Sequence, residues 1–188
     1  MSRAARSEPL YTSQEFLDLV ERGVLRPEDR VELLEGVIVT VSPQSPRHAA
    51  AINRIEDALR EAVGQRAVVR GQSPLVVSNH SVPEPDVMVL PGRTSDYDDA
   101  HPRIALLVVE VADRSLQQDR LSKRVIYATS GVPEYWLINL RDDCVEVGRA
   151  PDADAGCYLQ TFTARRGEQL ELAAFPGSFV AVDALLPG

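Results

Sequence analysis

The stretch Ile104-Ala-Leu-Leu-Val-Val-Glu-Val111 decides the predicted fold, because a continuous apolar run is typical of a central strand buried on both faces. A helix is predicted over about 116–129, where the capping box Ser115-Leu-Gln-Gln118 begins it and Gly131 follows its end. The next predicted strand covers 133–140. Such a strand–helix–strand unit places both strands in one sheet, with the helix packed on it.

Outside this unit the sequence predicts two helices and several short strands. The helices begin at the capping box Thr12-Ser-Gln-Glu15 and at Ser45-Pro46, and Glu35-Gly36 forms the turn of a hairpin over 30–41. The other predicted strands are 67–70, 75–77, 85–90, 144–148, 157–163 and 179–182. We expect an α+β or α/β fold: a mixed β-sheet flanked by helices, with an extra N-terminal hairpin and extra C-terminal strands. We expect a flexible arm over residues 1–10 and a single domain over 11–188.

Composition narrows the classes of function. The 188 residues carry 28 acidic and 20 basic side chains, a net charge of −8 that argues against loose, non-specific nucleic-acid binding. No run approaches the roughly 18 apolar residues of a membrane span, and the N-terminus lacks the apolar core of a signal peptide. We therefore expect a cytoplasmic protein with no membrane partner. Its two cysteines, Cys144 and Cys157, are most simply reduced thiols, although a bridge between neighbouring strands is an alternative.

Two acidic residues occupy positions that favour a site. Glu110 lies near the end of the central strand, and Asp86 follows Pro85 at the start of the strand over 85–90. A buried charge is costly unless it is paired or binds a metal, and carboxylates at strand ends are natural ligands for a hard divalent cation. The alternatives are that Glu110 pairs with an arginine and that Asp86 caps a turn.

The single lysine of the chain also stands out. Nineteen of the twenty basic residues are arginine, and Lys123 lies thirteen residues after Glu110 on the following helix. Asp119, Lys123 and Tyr127 are one turn apart and share a face of that helix. Lysine, unlike arginine, is a compact charge that can help organise an attacking water. The alternative is an exposed Asp119–Lys123 pair worth a few tenths of a kcal/mol.

A family resemblance follows from these residues. Pro85-Asp86 and Val109-Glu-Val111 resemble the PD-(D/E)xK nuclease signature, in which the acids hold magnesium and a lysine assists the water. More closely, the chain resembles the Uma-two family of restriction-endonuclease-like proteins. The matching segments are Val31-Glu-Leu-Leu-Glu-Gly-Val-Ile-Val39, His48, Pro85-Asp86-Val, Val109-Glu-Val, Asp119, Lys123, Tyr127 and Gly131-Val-Pro-Glu-Tyr-Trp136. The resemblance implies a restriction-endonuclease-like fold.

One position departs from the nuclease pattern. The pattern has its lysine two residues after the glutamate, where this chain has Ala112, and the family resemblance implies that Lys123 on the next helix takes its place. The resemblance also implies that Glu32 supplies a third carboxylate, the alternative being an outward strand residue. His48 would line the cleft as a proton donor or phosphate contact, the alternative being a structural histidine.

These residues lead to an expected function. We expect an endonuclease that uses Mg²⁺ or Mn²⁺ to hydrolyse DNA phosphodiester bonds, with Asp86 and Glu110 holding the metal and Lys123 assisting the water. Seven arginines, three of them Arg66, Arg70 and Arg124, would line a groove for DNA, and a homodimer would supply two sites for two strands. The rival reading is a nuclease-like fold without cleavage that serves as a binding or scaffolding module. A third is a structural oligomer built through exposed hairpins.

Overall fold

The computed structural model describes residues 10–41, 43–112 and 117–188, with the backbone alone for 117–121. Almost all of the predicted N-terminal arm, and the Ser115 capping box, lie outside the described residues. Within them, the helices and strands follow one another in an order close to the predicted one. They are α1 (Ser13–Glu21), β1 (Val31–Leu34), β2 (Val37–Thr40), α2 (Pro46–Val63), β3 (Val68–Gly71), β4 (Val87–Leu90), β5 (Leu107–Ala112), α3 (Gln117–Thr129), β6 (Glu134–Asn139), β7 (Cys144–Asp152), β8 (Cys157–Arg165), β9 (Gln169–Glu171), β10 (Phe179–Ala181) and α4 (Val182–Leu185).

A six-stranded mixed sheet in the order β3-β4-β5-β6-β7-β8 forms the centre of the molecule. Strands β5 and β6 are parallel, with α3 as their crossover, and each of the other neighbouring pairs is antiparallel. All six residues of β5 are buried, as expected for a strand covered on both faces. The predicted fold class, a mixed sheet flanked by helices with an extra hairpin and C-terminal strands, is confirmed.

Helices cover both faces of the sheet, and the side chain of Glu110 points toward α3. On one face, the apolar stripe of α2 packs with Val109 and Val111. On the other face, Val108 packs with Tyr127 of α3. Because alternate residues of a strand point to opposite faces, Glu110 shares the face of Val108 and lies under α3. Strand periodicity therefore brings Glu110 to the helix that carries Lys123.

The N-terminal hairpin forms a separate small layer with α1. Its turn residues Glu35 and Gly36 both have positive φ, 50° and 82°, as a two-residue hairpin turn with the strand twist requires. Leu33 exchanges backbone hydrogen bonds with Val82, and the two pack with Phe16 of α1. This layer lies at the end of the sheet where β4 begins.

The structure corrects two predicted strands and adds one that the sequence did not predict. The segment 75–77 is wrong as a strand: it follows Pro74, its backbone hydrogen-bonds to loop residues Pro83, Pro102 and Ser81, and it pairs with none of the strands that the structure describes. The central strand begins at Leu107, not at residue 104. The sequence missed β9, a three-residue strand that pairs with β10 away from the main sheet and is too short for a periodic pattern.

Two smaller predictions concern the cysteines and the membrane. Cys144 and Cys157 are both free thiols, the first buried and the second exposed. Among the helices that the structure describes, none combines the length and apolar character needed to cross a bilayer.

Candidate active site

A cleft of about 930 Å³ lies between the N-terminal layer and the edge of the sheet. The antiparallel register pairs Val87 with Val109, so the start of β4 lies beside the end of β5. This brings Asp86 and Glu110 together although 24 positions separate them in the chain. All five side chains predicted for the site line this one cleft: Glu32, His48, Asp86, Glu110 and Lys123.

Asp86 is held by two partners. Its Oδ2 accepts a hydrogen bond of 2.7 Å from the backbone N–H of Val111, the residue after Glu110. Its Oδ1 lies 3.1 Å from Nε2 of His48, in the first turn of α2. Ser45 caps that turn by accepting from the His48 N–H, as the sequence predicts. The alternative of Asp86 as a turn cap is therefore wrong, because its side chain joins β5 to α2.

Glu110 and Lys123 meet at the floor of the cleft. Nζ of Lys123 lies 3.3 Å from Oε1 of Glu110, and the lysine side chain is only 13% exposed. Tyr127, one turn further along α3, donates a hydrogen bond of 2.7 Å to the same carboxylate oxygen. Lys123 is thus no exposed surface residue, and within the described part of the chain no arginine pairs with Glu110. The side chain of Asp119 lies outside the described residues.

Glu32 reaches the same lysine from the hairpin. Lys123 Nζ donates to Glu32 Oε1 at 2.8 Å, and the Glu32 side chain is buried. The alternative of an outward strand residue is wrong, because the inner face of the hairpin turns toward the sheet. Lys123 therefore bridges two carboxylates that come from different layers of the molecule.

The charges of this cluster do not balance. Glu32, Asp86 and Glu110 surround one lysine, and burial raises the pKa of Glu110 to about 7. Lys123 opposes that rise, whereas the like charges of Asp86 and Glu32 add to it. Burial alone would lower the pKa of Lys123, but the attraction of Glu110 and Glu32 outweighs it and raises that pKa well above its usual value. Lys123 is therefore held as an ammonium ion.

Sequence reasoning missed two site candidates: Tyr127, buried behind the cleft floor, and Glu84 on the cleft wall. The sequence pattern places Tyr127 on one helix face with Lys123 and in the family resemblance, and this spacing of four residues is the signal that Tyr127 contacts Glu110 too. Glu84 stands two residues before Asp86 on the cleft wall. Partial burial and the nearby charge of Glu32 raise the pKa of Glu84. Tyr127 adds a hydrogen bond to the carboxylate that pairs with Lys123. Glu84 adds a negative charge near that lysine.

The arginines lie elsewhere than predicted. Arg66 stacks on Phe175, Arg70 on Tyr97 and Arg124 on Tyr158, each at 5.0 to 6.0 Å from the ring centroid. None of these three lines the cleft, so the predicted groove of arginines is wrong for them. The arginines that do line it are Arg26 and Arg30, which follow α1.

The donor set fits a divalent cation that keeps part of its water shell. Among the described residues, no group of three or more His, Cys, Asp or Glu side chains converges closely enough to hold an ion by protein ligands alone. Two carboxylates from adjacent strand ends, Asp86 and Glu110, are available, and Mg²⁺ is commonly bound by one or two carboxylates with several waters. The excess of negative charge around Lys123 is a second reason for this fit.

The comparisons with known proteins agree with this architecture. A family model named Uma2, with the description "Putative restriction endonuclease", matches residues 13–183. A crystal structure of a putative nuclease belonging to DUF820 from Anabaena variabilis ATCC 29413 superimposes with a TM-score of 0.73 at 18% identity. The alignment covers 93% of this chain and 96% of that one, which shows a shared fold. The search of curated proteins gave no match.

Proposed function

This chain belongs to the Uma2 family, and we propose that it is an endonuclease that uses Mg²⁺ or Mn²⁺ to hydrolyse DNA phosphodiester bonds. The observation that carries the proposal is the cluster of three buried carboxylates around one lysine. Asp86 and Glu110 would hold the metal. When bound, such an ion lowers the pKa of a water and offsets negative charge on the scissile phosphate.

The hydrogen bonds leave one oxygen of Glu110 available and hold Asp86 in place at both of its oxygens. Tyr127 and Lys123 both engage Oε1 of Glu110, and among the side chains that the structure describes none donates to its Oε2. Asp86 is fixed by Val111 at one oxygen and by His48 at the other. His48 thereby orients the carboxylate, and from the wall of the cleft it would also contact a phosphate oxygen. The residues are thus positioned before a ligand arrives, which lowers the cost of organising the reaction.

Lys123 acts through its charge. Because neighbouring carboxylates raise its pKa, it is a hydrogen-bond donor at neutral pH and not a general base. From Nζ it would orient the attacking water and stabilise the negative charge that grows on the phosphate. Ala112 occupies the position where the nuclease pattern has its lysine, and it is buried without exposed surface. Lys123 contacts Glu110 directly, so the helix supplies what the strand lacks.

Glu32 would serve as a third carboxylate of the site. Its 2.8 Å contact holds Lys123 over the cleft floor. Removing this carboxylate would leave Lys123 paired with Glu110 alone, and its ammonium group would be positioned less firmly.

A nicking assay tests the proposal. Supercoiled plasmid incubated with Mg²⁺ or Mn²⁺ should be nicked by the wild type, and Asp86→Ala and Lys123→Ala should each lower the rate at least 100-fold, about 3 kcal/mol of barrier. Asp57→Ala is the matched control, because Asp57 is an exposed acid on α2 whose side chain is 84% accessible. No nicking by the wild type, or equal nicking by all variants, would leave a nuclease-like fold that binds without cleaving.

A further inference from the structure

The carboxylates lie at the floor of a walled cleft and not on an open face. Glu32, Glu110 and Asp86 are 2%, 7% and 9% exposed. The N-terminal layer forms one wall, and the beginning of α2 with the segment over 72–86 forms the other. A phosphodiester must therefore enter the cleft to reach them.

The cleft is too small for a double helix. A volume of about 930 Å³ is within the range of pockets that hold one small ligand. A cleft of this volume cannot enclose a double helix, because the major groove of B-DNA alone is about 12 Å wide. Duplex DNA is also stiff over roughly 150 base pairs and cannot fold a single phosphate inward at low cost. A single strand is flexible enough to place one phosphate inside the cleft.

The inner face of the hairpin is partly apolar. The register pairs Glu32 with Val39, and cross-strand partners share one side of a hairpin, so Val39 stands beside the carboxylate that faces Lys123. Further apolar side chains from α1, the hairpin, the segments beside it and α3 line the same cleft: Val20, Leu25, Val31, Val41 and Ile126. We call these residues and Val39 the apolar wall. It lines the same cleft as the carboxylates of the floor.

An apolar wall beside a phosphate site favours exposed bases. In a duplex the bases are stacked inside, and the sugar–phosphate backbone would meet the wall, where burying phosphate charge against valine side chains is costly. In a single strand the base faces are free, and apolar surface can cover them. Arg30 is paired with Val41 by a backbone hydrogen bond and offers a positive charge at the cleft for a flanking phosphate.

We propose that the cleft takes single-stranded DNA, with the base next to the scissile phosphate packed against the apolar wall. A duplex would then be cut only where its strands separate, at a flap, a gap or a frayed end. This inference rests on the proposed nuclease function and narrows its substrate. Nicking of supercoiled plasmid is compatible with it, because supercoiling opens single-stranded regions.

A cleavage assay compares one labelled oligonucleotide sequence as a single strand, as a blunt duplex and as a duplex with a single-stranded flap, each with Mn²⁺. The single strand and the flap should be cut at least about tenfold faster than the blunt duplex. Equal cleavage of the blunt duplex would overturn the substrate inference and leave the nuclease function intact. If no substrate is cut, the nuclease function fails, and binding then decides the substrate inference.

Binding is measured by fluorescence anisotropy of the same oligonucleotides with Ca²⁺ in place of Mn²⁺. Val39→Asn changes the apolar wall without adding charge, and Val37→Asn is the matched control, because Val37 is 49% exposed on the same strand and does not line the cleft. Val39→Asn should weaken single-strand binding about threefold to tenfold, with Val37→Asn unchanged. Equal affinities of the two variants, or tighter binding of the blunt duplex by the wild type, would contradict the inference. Thermal melts of both variants check that the hairpin remains folded.

Discussion

Two buried glutamates on neighbouring strands, Glu134 of β6 and Glu110 of β5, show how differently this fold treats a carboxylate. Glu134 is 1% exposed. Its Oε1 accepts from Nε of Arg149 at 2.8 Å and from Nε1 of Trp136 at 3.0 Å, and its Oε2 accepts from the backbone N–H of Ala173 at 2.9 Å. One arginine neutralises one carboxylate, and both oxygens are bonded.

Glu110 is almost as buried but is left incompletely neutralised. It shares Lys123 with Glu32, while Asp86 adds a third negative charge nearby. Burial and these like charges raise the pKa of Glu110 to about 7. The comparison teaches that burial by itself does not mark a site. The shortage of positive charge marks it, because a bound cation would relieve that shortage.

The largest change in stability should come from breaking the ion pair between Glu134 and Arg149. Arg149→Ala leaves Glu134 buried without its counter-charge, and we expect a loss of about 3 to 5 kcal/mol in the free energy of unfolding. Urea denaturation of Arg149→Ala and of the exposed control Arg141→Ala measures it. A loss below about 1 kcal/mol would mean that Glu134 is not held by its ion pair.

In the cluster of Glu32, Asp86, Glu110 and Lys123, removing the charge of Glu110 should stabilise the folded protein at neutral pH. Glu110 has a folded pKa of about 7 against an ordinary value of 4.5, so the folded state retains a proton that the unfolded state loses between these values. Stability should therefore fall as pH rises from about 4.5 to about 7, by roughly 3 kcal/mol from this group. Glu110→Gln cannot ionise and should lack this fall. Metal-free unfolding at a series of pH values checks the difference, and parallel curves for the two proteins would contradict it.

A metal bound by Asp86 and Glu110 should stabilise the folded protein. With Mg²⁺ at ten times its Kd, the expected gain is about 1.4 kcal/mol, or roughly 4 °C in Tm for a chain of this length. Asp86→Asn should abolish the shift, since the amide oxygen still accepts from Val111 but carries no charge. Differential scanning fluorimetry with and without Mg²⁺ measures it, with Asp57→Asn as the control that keeps the shift. A shift of equal size in Asp86→Asn would place the metal elsewhere.

The smallest effect concerns the hydroxyl that positions Glu110. Tyr127→Phe removes one buried hydrogen bond and should cost about 1 kcal/mol of stability. Because that bond lowers the pKa of Glu110, its loss should also move the acidic limb of the nicking rate to higher pH. A pH–rate profile separates this positioning role from a purely structural one, which would lower stability and leave the profile in place.

Much of the fold follows from local patterns in the sequence. The buried run before Glu110 predicts the central strand, the capping residues Thr12 and Ser45 predict two helix starts, and Glu35-Gly36 predicts the hairpin turn. Segment 75–77 was mistaken for a strand because three apolar residues satisfy the pattern wherever they lie. Whether such a segment joins a sheet depends on a partner strand, which the pattern does not contain.

The sequence by itself identified Asp86, Glu110 and Lys123 as candidates, because a charge within a buried strand and a single lysine among arginines are visible without coordinates. Only the tertiary structure decided which buried acid belongs to the site. Glu134 and Glu110 both stand in apolar strands, and what separates them are partners distant in the chain: Arg149 for the first, and Glu32, 91 residues from Lys123, for the second. Whether a buried charge is neutralised depends on all the charged groups near it in space, and the order of residues along the chain does not say which groups those are.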